Sequence, residues 1–515
     1  MPTLIELLLI WTLLWDAILC VSFDVLATVD SERQNAIRSQ RDLMMNVTVD
    51  QLPLVGVNLG KVVLNSGSAN DTESLIGMHS LMKSGVQSFM LDLELRNDSW
   101  GVKDTNVDFG TFLTSFESFV NKTDDTLSAN ILTLHLNISN GDLPSNSSFG
   151  DDQGLISVDP SNPMLNLTYV LDQFVGRQRI YTPDDLRTDR QVGNTFDTSG
   201  KSGSGWPTLN SFLYFKRKRV LITEVSNRLN YTEVPYIFNN TILHYDVGNK
   251  TLETPDTIGQ LLYVSTISWR YLEAEFTPAE IQQYIRMGYS PVIANYHNVG
   301  NLTEISQLLD HSIIWSWGDG EPIAAFTTAT PKNSSSLVAY NCALLKYYSA
   351  NSSAFWIVGN CYDRKQGLCR YAEQAFDWEV TEADDTYFAF DQHSECHCSD
   401  KYQFALPRTP LELTSLMMHL ERSGTQDKEI WIDLNSIAVS DCWVTGGPYA
   451  TCPYEKVVSR RNFVAMLTPV TVCCFVILLI VSYLNLLRVP IHSNRKKWRK
   501  VVNEFSKTEL DGVPL

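Results

Sequence analysis

Residues Phe463 to Leu487 form 25 consecutive positions without a charge, followed by Arg488 and the cluster Arg495, Lys496, Lys497, Arg499 and Lys500. The hydrocarbon core of a bilayer is roughly 30 Å thick and a helix rises about 1.5 Å per residue, so about 20 apolar residues suffice to cross it. The run therefore reads as a transmembrane helix with a stop-transfer flank. Pro469, Cys473 and Cys474 inside it are compatible with insertion.

The opposite end bears on orientation. Leu7 to Trp15 is an apolar stretch of secretory-signal length, with small residues near Ala17, Cys20 and Ser22 for cleavage. Residues 1–20 are read as a signal peptide, although Glu6 and Asp16 interrupt the stretch and a signal anchor is the alternative. The excess of Lys and Arg after the span puts the last 28 residues in the cytosol and residues from about 22 to 462 in the lumen or outside. The expected protein is a single-pass type I membrane protein of the secretory pathway, with endoplasmic reticulum, vacuole and cell surface left open. Asn-x-Ser/Thr sequons occur at Asn46, Asn70, Asn97, Asn121, Asn137, Asn146, Asn166, Asn230, Asn239, Asn249, Asn301, Asn333 and Asn351, and none in the tail. They predict a glycoprotein in which some buried sequons go unused.

Cysteines are confined to one part of the exterior region. After Cys20 there is none until Cys342, and Cys361, Cys369, Cys396, Cys398, Cys442 and Cys452 follow. In an oxidising compartment this reads as a disulfide framework in which seven cysteines leave one over. Cys396-His397-Cys398 lacks a second pair at metal-ligand spacing, so no metal is assigned. About 440 residues exceed what one core usually serves, which predicts two globular domains. The formal net charge is −18, and the basic tail leaves residues 21–487 near −20. Such a surface repels phosphate backbones, and direct nucleic-acid binding is excluded from the expectation.

Between Asn46 and Val225 short apolar runs alternate with amphipathic stretches. Leu52 to Leu59, Val86 to Leu95, Asn130 to Ile138, Arg179 to Tyr181 and Arg219 to Thr223 read as strands. Ser74 to Ser84, stopped by Gly85, and Phe109 to Val120, Leu165 to Val175 and Leu209 to Phe215 read as helices. Successive βα units favour a parallel sheet and, over about 280 residues, a closed barrel.

The order of Gly56 on an apolar strand, a helix ending in Gly85, Leu91-Asp-Leu-Glu94, Ile180 to Arg187, Trp206 to Leu213 and Lys218 to Ile222 resembles phosphatidylinositol-specific phospholipase C-like phosphodiesterase barrels. The resemblance covers roughly residues 50–325, with Trp315 to Pro322 as a last strand and loop. Pro183 and Pro207 are each expected to open a short helix. The family's reaction takes two histidines, one giving and one accepting a proton, and a cation for the phosphorane charge. Where the resemblance implies a histidine after the first strand, this chain has Gly56-Val57-Asn58-Leu59, and neither Val57 nor Asn58 transfers protons near pH 7. His135 matches the second histidine, and Asp92 and Glu94 offer acids at a strand end. These three are the candidate catalytic residues of a barrel that reads as degenerate, with His135 more simply a hydrogen-bonded core or rim histidine and His79 at the surface. No cofactor is expected.

From about Ser353 to Tyr454, Trp356, Trp378, Trp431 and Trp443 accompany the cysteines, as in small secreted β-rich modules. Phe404 to Leu413 with Trp431-Ile-Asp-Leu-Asn435 faintly resembles the C-type lectin-like pattern, without its calcium motifs. Over its whole length the chain resembles the fungal maintenance of telomere capping protein 6 family, through Arg38 to Leu43, Val49 to Leu59, Ile180 to Arg187, Trp315 to Pro322, Asp441 to Gly447 and Ala450 to Tyr454. That resemblance implies a single-pass type I membrane protein with a role in telomere capping, which a membrane would make indirect.

The expected fold class is thus α/β. A signal peptide (1–20) precedes a degenerate phospholipase C-like barrel (21–325), a Cys-rich β-containing module (340–455), a transmembrane helix (463–487) and a basic cytosolic tail (488–515). The expected function is non-catalytic, a pseudoenzyme binding a luminal protein, glycan or lipid head group. The alternative is a phosphodiesterase on phosphoinositol or glycosylphosphatidylinositol-type substrates.

Overall fold

The computed structural model describes residues 31–63, 71–95, 99–103, 105–138, 162–192, 205–225, 242–244, 250–295, 302–323, 339–390, 398–454, 460–488 and 494–510. The expected signal peptide, Cys396 and the sequons at Asn70, Asn97, Asn146, Asn230, Asn239, Asn249, Asn301 and Asn333 lie outside them. Residues up to Tyr454 belong to one compact unit and Glu455–Leu515 to another.

The first unit holds two sheets. One contains β1 (Gly56–Asn58), β2 (Ser88–Leu95), β3 (Trp100–Val102), β4 (Leu132–Ile138), β5 (Ile180–Tyr181), β6 (Val220–Glu224), β7 (Tyr271–Ala274) and β8 (Ser290–Ile293). Its order is β5-β6-β4-β2-β1-β8-β7, parallel throughout, with β3 antiparallel on β2. Side chains alternate across the strands. In β2, Phe89, Leu91, Leu93 and Leu95 enter the outer core beneath the helices, while Met90 enters an inner core with Tyr181, Leu221, Tyr271 and Val292. Helices Asp71–Lys83 and Phe109–Lys122 cover the outer face. Asp108 starts the second by accepting the Thr111 N–H at 3.3 Å, and Phe109, Phe112, Phe116 and Val120 form its buried stripe.

Two expectations are corrected. Among the described residues β5 and β7 do not pair, so the described strands form an open sheet rather than a closed ring. Aromatic rings occupy the gap: Trp206 lies 5.2 Å from His244 and 5.0 Å from Trp269 between ring centroids, and Tyr181 stacks on His244 at 5.8 Å. Secondly, Trp315 to Pro322 is no barrel strand. Trp317 forms a single bridge to Trp356 and packs 4.9 Å from Trp443, which places its indole in the core of the second sheet. Pro183 does open a helix, Pro183–Val192. Pro207 lies ahead of the short π-helix Ser211–Phe215 instead, where its carbonyl accepts the Val49 N–H.

The second sheet comprises β9 (Tyr340–Tyr348), β10 (Ser353–Asn360), β11 (Gln366–Tyr371), β12 (Trp378–Val380), β13 (Tyr402–Phe404) and β14 (Lys428–Asn435), in the order β10-β9-β14-β11-β12 with β13 on β11. Helix Pro410–Arg422 covers one face, its Thr409 cap accepting from the Glu412 N–H. Disulfides Cys342–Cys361, Cys369–Cys398 and Cys442–Cys452 close this module. Its core also takes in Ala36 and Leu43 from helix Ser31–Leu43, while Ile37 of that helix packs on the first sheet. One helix thus serves both cores, so the module and the sheet domain share a single compact unit.

In the second unit, helices Arg460–Arg488 and Asn494–Leu510 carry 29 and 17 residues. The described side chains of 471–485 are exposed. Among the described residues no helix is long and apolar enough to cross a membrane.

Candidate functional site

In parallel α/β sheets, ligands gather at the carboxyl ends of the strands. At that end β1 presents Asn58, whose Nδ2 donates to Glu273 Oε1 of β7 at 2.8 Å and lies 3.2 Å from Met90 Sδ. Asn58 Oδ1 accepts the Lys61 N–H at 3.1 Å and so caps helix Leu59–Val62, and Lys61 Nζ pairs with Glu273 at 2.7 Å. Asn137 Nδ2 donates to Asp92 Oδ1 at 2.6 Å, because β2 and β4 place these residues side by side. A Cβ added at Gly60 would sit 3.5 Å from Asn58 Oδ1 and 3.8 Å from Asp92 Oδ2. Asn58 and Asp92 therefore face one point; Asp92, Asn137, Glu273 and Lys61 are half-buried and line the mouth, while Asn58 is buried beneath them.

In register with Asn58 through Met90, His135 is also buried, its Nδ1 2.6 Å from Thr223 Oγ1 and its ring 4.8 Å from that of Tyr271. Burial alone pulls its pKa down to about 3. The imidazole is neutral at physiological pH, and one ring nitrogen is committed to the threonine. Asp92 is thus brought to the mouth and His135 is held beneath it. Glu94 lies two residues further along β2, where Glu94 pairs in register with Gly101 of β3. His79 stands apart, on helix Asp71–Lys83 with its ring 5.6 Å from Phe119. Among the described residues, no three His, Cys, Asp or Glu side chains converge in a metal-binding arrangement.

Lys61 and Glu273 are not singled out by the sequence, which brings in Asn58 only at the place of the implied histidine and Asn137 only as a sequon. The alternation of β4 could have flagged Asn137 beside Asp92, but its sequon drew it to glycosylation instead. With its amide engaged inside the sheet, Asn137 is a poor glycan acceptor in the folded chain. Asn46, Asn121 and Asn351 are exposed, while Asn166 caps helix Leu167–Phe174.

A cavity of about 630 Å³ lies at the other end of the strands, lined in part by Arg38, Arg41, Lys83, Gln87 and Arg219. Two of its guanidinium groups are spent on the backbone. Arg219 donates to the carbonyls of Thr123 at 2.8 Å and Asn130 at 3.0 Å, and Arg41 to those of Leu127 at 2.9 Å and Ala129 at 2.7 Å. They neutralise carbonyls at helix ends and loops, a structural task.

A family model described as the MTC6 partial TIM-barrel domain matches residues 27–315. A protein named Maintenance of telomere capping protein 6 from Zygosaccharomyces rouxii is 50% identical over 490 residues, 95% of this chain and 93% of that relative. The protein of the same name from Saccharomyces cerevisiae is 45% identical over 501 residues, 96% and 93%. The chain belongs to the maintenance of telomere capping protein 6 family. Solved structures similar to it include a calcium-dependent phosphoinositol-specific phospholipase C from Pseudomonas sp, at 13% identity, 52% of this chain, 90% of that chain and a TM-score of 0.27. Another is S. officinalis PLC21, at 10% identity, 65% and 43% coverage and a TM-score of 0.31.

The segments that carry the likeness to the maintenance of telomere capping protein 6 family meet in space. Gln40 Oε1 accepts the N–H groups of Trp315 at 2.9 Å and Ser316 at 3.1 Å, and Ser39 Oγ accepts from Trp317 Nε1 at 2.8 Å. Arg38 Nη2 donates to the Asp441 carbonyl at 3.2 Å. The Asp433 carboxylate, buried in β14, accepts the Gly446 and Gly447 N–H groups at 3.0 and 2.8 Å. Through Arg38, Ser39 and Gln40 these segments tie the module to the helix shared with the sheet domain, and they are distinct from the mouth.

Proposed function

We propose that this chain is a type I single-pass membrane glycoprotein of the secretory pathway, whose luminal phospholipase C-like domain binds its ligand without cleaving it. The observation that carries the reading is the pairing of Asn58 with Glu273 at the end of β1, in register through Met90 with a His135 buried against Thr223. An amide cannot act as a general acid or base near pH 7, and a fully buried imidazole with a pKa of about 3 is a poor proton donor. The mouth instead carries the half-buried carboxylates of Asp92 and Glu273 beside the Lys61 ammonium, which suit a hydroxyl-rich partner such as a glycan or a lipid head group, or a polar protein surface.

The membrane assignment rests on the uncharged run from Phe463 to Leu487, which extends on both sides of the described side chains, and on the basic residues after it. The telomere capping in the relatives' name is, for this chain, proposed as an indirect effect, since the span would separate the large domain from chromosomes. Protease added to the cytosolic side of intact membranes should remove no more than the last 28 residues. Glycosidase should shift the protected remainder. Cleavage of the large domain, or no glycosidase shift, would overturn the assignment.

A further inference from the structure

Trp498, Val501, Val502 and Phe505 of helix Asn494–Leu510 are 64%, 40%, 57% and 68% exposed. At 3.6 residues per turn they fall within an arc of about 100°. Arg495 and Lys497 border that arc, Lys496, Arg499, Lys500 and Lys507 lie on the rest of the helix, and of its two acidic residues Glu504 stands beside Lys497 and Glu509 falls within the arc at the helix end. An apolar stripe with aromatic residues, set in basic side chains, is the pattern of helices that lie in a bilayer interface. We propose that Asn494–Leu510 is an interfacial helix that docks on an anionic lipid leaflet. The apolar arc would enter the acyl boundary and the basic side chains would reach lipid phosphates and carboxylates.

Charge complementarity decides the occupant, because a protein groove would match the apolar arc without requiring cations on both of its borders. Continuity agrees, since only residues 489–493 separate this helix from Arg460–Arg488. The proposal rests on the membrane reading of that upstream helix for its delivery to the surface, while its lipid chemistry is its own.

The test is hydrogen exchange on the full-length protein in lipid nanodiscs of phosphatidylcholine alone or with about 30 mol% phosphatidylserine. Amides of 498–507 are expected to exchange at least about tenfold more slowly in the anionic discs. Replacing Arg495, Lys497 and Arg499 with Gln, which leaves the apolar face intact, should abolish the difference, as should Trp498→Glu with Phe505→Glu. Equal exchange in both discs, whether fast or slow, would overturn the proposal. A chain that fails to enter either disc would refute the span instead. The helix would then be judged by flotation of the same protein with preformed vesicles of the two compositions. Flotation with the anionic vesicles alone supports it, and no such preference overturns it.

Discussion

The hydroxyl of Tyr454 lies 2.8 Å from both carboxylate oxygens of Asp42 and 2.6 Å from Arg41 Nη2. The last residue of the first compact unit is thereby fastened to the helix that serves both cores. Burial and the neighbouring carboxylate hold the phenol pKa well above its usual value, so it remains a donor at all relevant pH. Hydrogen bonds to charged groups contribute about 1.5–3 kcal/mol, so Tyr454→Phe should destabilise the unit by about that much. Denaturant unfolding of the purified protein reads this directly, and an unchanged midpoint would show the contact to be idle.

The inner layer makes stability depend on pH. His135 falls to about 3 and His244 to about 4, in both cases mainly through burial, against an ordinary value of 6.5. Between these values and 6.5 the unfolded chain binds protons that the folded chain refuses. The histidines' contribution to stability is therefore full above pH 6.5 and is lost on acidification towards pH 4, by up to about 1.4 kcal/mol per unit for each. Unfolding midpoints at pH 7 and pH 5 test it, with His135→Gln expected to flatten the loss. A midpoint that rose on acidification would contradict the burial assignment.

Backbone packing at β1 gives a steric prediction. A Cβ at Gly56 would sit 2.8 Å from both Ser88 Cβ and Val292 Cγ2, between the strands that flank β1. Overpacking of this kind costs about 1–3 kcal/mol, so Gly56→Ala should lower the thermal midpoint, and an equal midpoint would contradict the close approach.

What could be read from the sequence follows the strength of each local pattern. Long alternating strands such as β2 and β4 and the apolar stripe of Phe109–Lys122 were legible, as was Gly85, whose φ of +105° ends a helix. Strands β3, β7 and β8 have three or four residues each, too few to establish a period. The open edge could not be foreseen, because Trp206, His244 and Trp269 fill it from outside the regular elements. Trp315-Ser-Trp317 alternates like a strand, yet its polar bonds go to Ser39 and Gln40, distant in sequence. At the site, Asp92 and His135 were legible as residue types, but Glu273 meets Asn58 only through the register of β1, β8 and β7.

The central claim is that the mouth binds without cleaving, and the direct measurement is phosphodiesterase turnover of phosphatidylinositol by the purified full-length protein, wild type beside His135→Ala. Loss of one proton-transfer group typically costs about 10²–10⁴-fold in rate, and Asn58 already stands where the family resemblance implies a histidine. The account predicts no turnover above the protein-free control for either protein. Hydrolysis by the wild type that disappears in a folded His135→Ala variant would contradict it.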